Sequence, residues 1–250
     1  MKIVVVGGTG LIGKQVIALL TEAGHEAVAA APSTGVDTLT GQGVDAALAG
    51  ADVVVDVSNS PSFAPDDVLH FFTTSTRTLL AAEARAGVRH HVVLSIVGAD
   101  RNPDSGYLRA KVAQEALVRD GDIPWSVVRA TQFFEFAAQI ADGATVDGTV
   151  RIPPVGFQPI ASADVARFVA EAAAGEPSDR HVDVAGPERV RFDAFVRGAL
   201  EAAGDDREVL ADPSAPYFGA VLVEDSIVPQ GDARLGAVTY AEHLAARTSA

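Results

Sequence analysis

The sequence predicts a doubly wound α/β fold: a parallel sheet covered by helices on both faces, with a small C-terminal substrate lobe. Three observations point there. Short β-branched runs alternate with longer Ala- and Leu-rich amphipathic stretches through the first 130 residues. The strand-like runs are continuously apolar, the pattern of strands buried on both faces. A glycine-rich segment, GGTGLIG (7–13), sits directly between the first such run and the first amphipathic stretch.

The elements follow in order. KIVVVG (2–7) reads as a strand and LIGKQVIALLTEAG (11–24) as a helix ending at Gly24. EAVAAA (26–31) is a second strand, followed by a Pro, Ser, Thr and Gly loop. VDAALAG (44–50) is a short helix and ADVVVDVS (51–58) a strand. The stretch 64–87 is a long helix with Asp66 and Asp67 in its first turn, where the helix dipole favours anions. HHVVLSIVG (90–98) is a strand, SGYLRAKVAQEALVRDG (105–121) a helix and WSVVRATQF (125–133) a strand. Beyond residue 135 the pattern loosens, with prolines breaking the extended segments of 147–161. A helix capped by Ser162 (162–175), a strand (181–186), a helix (192–204) and about forty irregular residues complete the chain. Residues 1–250 are expected to form one domain, with approximately 135–160 and 187–250 contributing the smaller lobe.

Composition narrows the function. With 250 residues, 48% of them hydrophobic, one sizeable core can form. No run of about 18 apolar residues occurs, so no membrane span is expected. The opening apolar run, IVVV, meets glycines at once and reads as a strand, not a secretory segment. Cysteine is absent, which excludes disulfides and thiolate metal sites and fits a cytoplasmic protein. Histidines are not clustered, so no metal site is expected. A net charge of −14 argues against nucleic acid or anionic lipid as partner, leaving a small-molecule substrate; an oligomer is compatible.

Gly7, Gly10 and Gly13 form G-x-x-G-x-x-G after a strand and into a helix. In that setting the glycines allow a tight turn, backbone approach to a pyrophosphate and close helix packing. The helix N-terminus, with Thr9, Leu11 and Ile12 around it, supplies positive partial charge to the phosphates. A dinucleotide site is therefore expected. NAD sites usually carry an acid at the end of the second strand, but Ala30, Ala31, Pro32, Ser33 and Thr34 stand here. Ser33 and Thr34 can donate hydrogen bonds to a 2′-phosphate, which favours NADP(H) with NAD(H) not excluded.

Ser95 closes the fourth strand, Tyr107 follows twelve residues later and Lys111 lies one helical turn on. A phenol with a pKa of about 10 is a poor acid or base near neutrality. An adjacent ammonium lowers it towards the working range. Tyr107 can then exchange a proton with a carbonyl oxygen held by Ser95.

GGTGLIG, the Ser95 strand end and YLRAK together resemble the short-chain dehydrogenase/reductase superfamily. More closely they resemble its atypical NAD(P)-binding branch of NmrA-like proteins and NADPH-dependent quinone reductases. VVRATQFFEF, PIASADVA and VDVAGPE extend the likeness to about residue 200. The resemblance implies Tyr107 as acid/base, Lys111 as its modulator and ribose ligand, and Ser95 as carbonyl-orienting residue. It also implies that Val57, Ser58 and Asn59 pass near the cofactor riboses. The substrate would be a carbonyl or quinone. A non-catalytic dinucleotide sensor and an epimerase with tightly held cofactor are the alternatives. Phe72 departs from the Asn that many extended relatives carry nearby. Phe133, Phe134 and Tyr217 are candidates to wall the substrate pocket, and packing between the lobes is an equal reading for the phenylalanines.

Overall fold

A computed structural model describes the chain over residues 1–248. Its first half is strand and helix in alternation: β1 (Lys2–Val6), α1 (Leu11–Glu22), β2 (Glu26–Ala30), α2 (Val44–Leu48), β3 (Val53–Asp56) and α3 (Pro65–Ala86). Then come β4 (His90–Ile96), α4 (Gly106–Arg119), β5 (Trp125–Ala130), α5 (Ala137–Gly143), β6 (Thr145–Val146), β7 (Thr149–Ile152) and β8 (Gly156–Phe157). The remainder is α6 (Ser162–Ala174), β9 (His181–Ala185), β10 (Val190–Arg191), α7 (Phe192–Ala203), β11 (Val209–Ala211), β12 (Pro216–Tyr217), β13 (Ala220–Val221), β14 (Ala233–Leu235) and α8 (Tyr240–Thr248). No helix among the described residues is long and apolar enough to cross a membrane.

Seven strands form one parallel sheet in the order β14-β9-β5-β4-β3-β1-β2. The pleat divides the valines between two cores. Ile3 and Val5 meet Ile12, Val16 and Leu20 of α1 and Val165 and Val169 of α6. Val4, Val6 and Val54 face the other way, onto Val44 and Leu48 of α2 and Leu79 of α3. Val93 and Val127 pack on Val118 of α4. Helices on both faces of parallel strands make the sheet doubly wound, and the strand order switches direction beside β1, between β1 and β3.

A second core lies outside the sheet. Phe134, Ile152, Phe157, Phe192, Phe195 and Ile227 are buried together there. Phe157 and Phe192 stack at 4.1 Å, and β6, β7 and β11 form its small sheet.

Two expectations need correction. Ser162 does not cap α6: Ala161 is the N-cap residue and its side chain offers no acceptor. The carboxylate of Glu135 caps instead, accepting from the Ser162 N–H at 3.2 Å and its hydroxyl at 2.5 Å. The C-terminal stretch is also more ordered than its composition suggests. β14 extends the main sheet beyond β9, and α8 follows it. Main-chain bonds make this attachment, together with Asp164, whose Oδ2 accepts from the Ala237 and Val238 N–H groups at 2.9 and 3.0 Å. Neither leaves a hydrophobic period to read.

Arg129 lies in β5 and points at α4, where it donates to both carboxylate oxygens of Glu115 at 2.9 and 2.6 Å. It also reaches Asp100 at 3.1 Å. Removing one member of a buried ion pair strands the other charge. Arg129→Met should lower unfolding free energy by about 3 kcal/mol, with Arg129→Met/Glu115→Gln less affected, both read from denaturant midpoints.

Candidate active site

The glycine loop follows β1 directly, at the switch point of the sheet. Gly7 takes φ +77°, and a Cβ there would lie 2.9 Å from the backbone of Val57 and Ser58. A Cβ on Gly13 would lie 2.3 Å from the Gly7 carbonyl oxygen, and one on Gly8 2.7 Å from that of Val5. The loop is therefore pressed onto both β3 and the start of α1. Gly10 is the N-cap residue and no side chain caps the helix. The backbone N–H groups of Leu11, Ile12 and Gly13 thus open an uncapped helix terminus beside exposed Thr9 and Gly10. Such a terminus suits a pyrophosphate. The side chain of Ile12 is turned into the core, so only its backbone can serve there.

The turn after β2 presents one of its two hydroxyls. Thr34 closes its own turn, accepting from Ala31 N–H and donating to Ala31 O, both at 2.9 Å. Ser33 is exposed and faces Thr9 across 3.5 Å. At the end of β3, Val57 and Ser58 are half-buried and Asn59 exposed.

Ser105 caps α4, its hydroxyl accepting from Leu108 N–H at 3.2 Å. That start places Tyr107 in the first turn, where its hydroxyl donates to Asn59 Oδ1 at 3.2 Å. The phenol ring touches Phe63, Phe72 and Phe218, with centroids 5.2, 6.2 and 5.0 Å away. Lys111, one turn later, is buried. Its ammonium donates to Leu94 O at 2.9 Å and to Gln114 Oε1, and lies 4.3 Å from the Phe72 ring centroid. Gln114 passes the polarity on, donating to Asp56 Oδ2 at 2.9 Å. The other Asp56 oxygen accepts from the Ser58 N–H and hydroxyl at 2.9 and 2.6 Å. One buried polar chain thus joins α4 to the loop after β3.

Burial governs the ionisation here. It pushes the Tyr107 phenol up to about 12. That direction is opposite to the shift expected of an adjacent ammonium, because the Lys111 amine is turned towards Leu94 and Gln114. Burial also pushes Lys111 down to about 8, against the opposing pull of Asp56 and Glu115. The Ser95 hydroxyl is fully buried in β4 and has no hydrogen-bond partner. An orphaned hydroxyl at that depth is a costly feature, and the uncapped start of α1 leaves backbone N–H donors free to receive phosphate oxygens. These residues fit a dinucleotide.

The aromatic candidates divide. Phe134 turns into the second core, against Phe195, Tyr240 and His243, the packing reading of this residue. Phe133 stacks on Phe136 at 5.3 Å and covers the first core. Tyr217 meets Phe192 edge-on, and its phenol is also pushed up by burial and by Tyr107. The rings against Tyr107 include Phe63 and Phe218, which no local pattern in the sequence singles out. Asp56 and Gln114 are further members that the motifs leave aside, although an Asp closing the run VVVD is a visible polar break in a buried strand. His91 bonds Glu83 at 2.8 Å and His90 bonds Ser126 at 2.9 Å, both in the interior. No group of His, Asp and Glu among the described residues is arranged to hold a metal.

Residues 7–176 match the model of an NAD(P)H-binding family. The chain belongs to that family. A reductase from Streptomyces griseus, (4-alkanoyl-5-oxo-2,5-dihydrofuran-3-yl)methyl phosphate reductase, is 32% identical over 205 residues, 75% of this chain and 69% of the relative. This match places the NAD(P)H-binding protein in a reductase-type group. Solved structures share its fold. A dTDP-4-dehydrorhamnose reductase from Clostridium acetobutylicum superimposes with TM-score 0.74 at 15% identity, over 100% of both chains. A short-chain dehydrogenase/reductase superfamily protein from Agrobacterium tumefaciens with bound NAD gives 0.74 at 17% identity, over 100% of this chain and 96% of that one. The protein is thus a reductase-type member of the NAD(P)H-binding family with the fold of short-chain dehydrogenase/reductase proteins, and its cofactor is a nicotinamide dinucleotide.

Two outcomes test this geometry. Gly13→Val should weaken NADPH and NADH binding at least about tenfold, roughly 1.4 kcal/mol, in a fluorescence titration. Between pH about 8 and 10.5 only the unfolded chain keeps the Lys111 proton, so this residue makes folding more favourable as pH rises through that window. Lys111→Met should flatten that rise in denaturant unfolding measured from pH 7 to 10.

Proposed function

We propose that the protein is an NAD(P)H-dependent oxidoreductase that transfers hydride between its cofactor and a carbonyl or quinone substrate, with Tyr107 as acid/base. The observation that carries this reading is the site at the end of β3. There the Tyr107 hydroxyl bonds Asn59 at 3.2 Å, beside the glycine cradle, and the buried Ser95 hydroxyl is left unpartnered. The reductase name of the Streptomyces relative supports the reaction class.

The residues divide the work. Gly7, Gly10 and the N–H groups of Leu11, Ile12 and Gly13 hold the pyrophosphate, with Thr9 beside them. Val57, Ser58 and Asn59 line the ribose side. Ser33 reaches the adenosine ribose, and no carboxylate stands directly after β2 to repel a 2′-phosphate; NADP(H) is favoured on this ground. When bound, the nicotinamide supplies or accepts the hydride. Ser95 donates a hydrogen bond to the substrate oxygen, and Tyr107 moves a proton at that oxygen. A phenol at about 12 keeps its proton at neutral pH, so in the free protein Tyr107 is poised as an acid, the form that carbonyl reduction needs. Lys111 acts from below: its positive charge favours phenolate once the proton has left, and Gln114 and Asp56 hold the amine in place.

Tyr107→Phe should lower kcat by on the order of 100- to 10,000-fold and leave the NADPH dissociation constant within about twofold, measured by cofactor oxidation and by fluorescence titration. Turnover of a substrate with no net change in cofactor absorbance would instead mark an epimerase. Cofactor binding without turnover on any carbonyl or quinone would mark a sensor.

A further inference from the structure

The hairpin of β12 and β13 carries an anomaly. Pro216 pairs with Val221 and Tyr217 with Ala220, which leaves Phe218 and Gly219 as a two-residue turn. Both have positive φ, 47° and 84°. A turn with two left-handed residues normally takes Asn, Asp or Gly at its first position, because a Cβ there crowds the backbone. Phe is a poor choice for that position. Strain of this kind persists where something other than stability selects the residue.

The Phe218 ring shows what that is. It lies 5.0 Å from the Tyr107 ring and 5.6 Å from Phe63, with interplanar angles of 38° and 35°. Phe63, in the loop between β3 and α3, completes a triangle of rings at 5.2 Å from Tyr107. The floor is rigid, since Phe72 is fully buried beneath Tyr107. The roof is not: Phe63 is 51% exposed and Phe218 40%, and both sit on loops. The rings around Tyr107 are uncharged aromatics, and its hydroxyl meets a neutral amide.

We propose that Phe218 and Phe63 are the specificity-determining residues of this site, gripping a flat, unsaturated carbonyl compound against Tyr107. The proposal rests on the oxidoreductase reading for the role of Tyr107. The three rings touch one another, so a flat substrate ring enters by exchanging one of these contacts for an equivalent stacked contact of its own. A puckered saturated ring has neither the flatness nor the π-electrons to replace it. The left-handed turn at Phe218 is what carries its ring to the Tyr107 side of the hairpin tip, and this explains why a residue unsuited to the turn is found there.

The test compares acetylnaphthalene with acetyldecalin, which share a carbonyl and a carbon skeleton and differ in flatness and unsaturation. Binding to the full chain is measured calorimetrically with excess NADP⁺ present, a cofactor form that does not reduce a ketone. The flat ketone should bind about tenfold more tightly, a difference of roughly 1.4 kcal/mol. Phe218→Asn should raise the melting temperature, because Asn suits the turn, and bring the two ketones within about twofold. Phe63→Leu, which touches no strained backbone, should narrow the ratio without raising the melting temperature, and carries the test alone if the Asn variant misfolds. Equal affinities in the unmodified protein, or an unchanged ratio in both variants, would overturn the proposal. Selective binding of the flat ketone without NADPH oxidation on any carbonyl would remove the oxidoreductase reading and leave the aromatic grip standing.

Discussion

The approach of α1 to the ends of β1 and β3 is the constraint on which the rest of the site depends. Gly7 lies against the backbone of Val57 and Ser58, and Gly13 lies against Gly7 and Gly8. No side chain larger than hydrogen fits at either contact. The consequence reaches beyond the loop. Because the helix terminus sits so near the end of β3, the residues after Asp56 run alongside it, and Asn59 comes within reach of α4. The groups proposed to hold the phosphates and to move the proton thus share a thin wall of backbone.

A second constraint works from underneath. Lys111, Gln114, Asp56 and Ser58 form one hydrogen-bonded line from α4 to the loop after β3. The amide of Gln114 has only one useful orientation in it, oxygen to the ammonium and nitrogen to the carboxylate. A buried cation and a buried anion are thereby separated by a neutral bridge instead of meeting directly. Each keeps hydrogen bonds that offset the cost of its burial, and the amine is prevented from swinging up to the phenol.

Much of this was legible in the sequence, for identifiable reasons. Strands buried on both faces advertise themselves as unbroken runs such as IVVV and VVV. Glycines spaced between a strand and a helix mark a place where backbone must come close to something, and a phosphate is the usual visitor. Ser95, Tyr107 and Lys111 stood out as candidates because they lie close in sequence, on one strand end and one helix. What stayed hidden was built from distant pieces. Phe63 and Phe218 come from two separate loops, and nothing local tells such a residue which ring it will meet. Phe134 stayed ambiguous for the complementary reason: a Phe after a strand end can face either lobe, and periodicity does not reach into a single 3₁₀ turn. The capping of α6 by Glu135 was invisible because Ser162, the expected cap, sits one residue too late and is itself the group being held.

The attachment of β14 bears on how the molecule is assembled. β9 is bordered on one side by β5 and on the other by a three-residue strand supplied from 233–235, about fifty residues further along the chain. On a ribosome adding about 5–20 residues each second, the flank of β9 therefore stands bare for several seconds after its own residues have emerged. An open edge of parallel strand is a template for any extended chain nearby. The nascent protein must keep that edge out of wrong pairings during the interval, and His181 and Asp183 along it, polar where the inner strands carry valine, are suited to discouraging them.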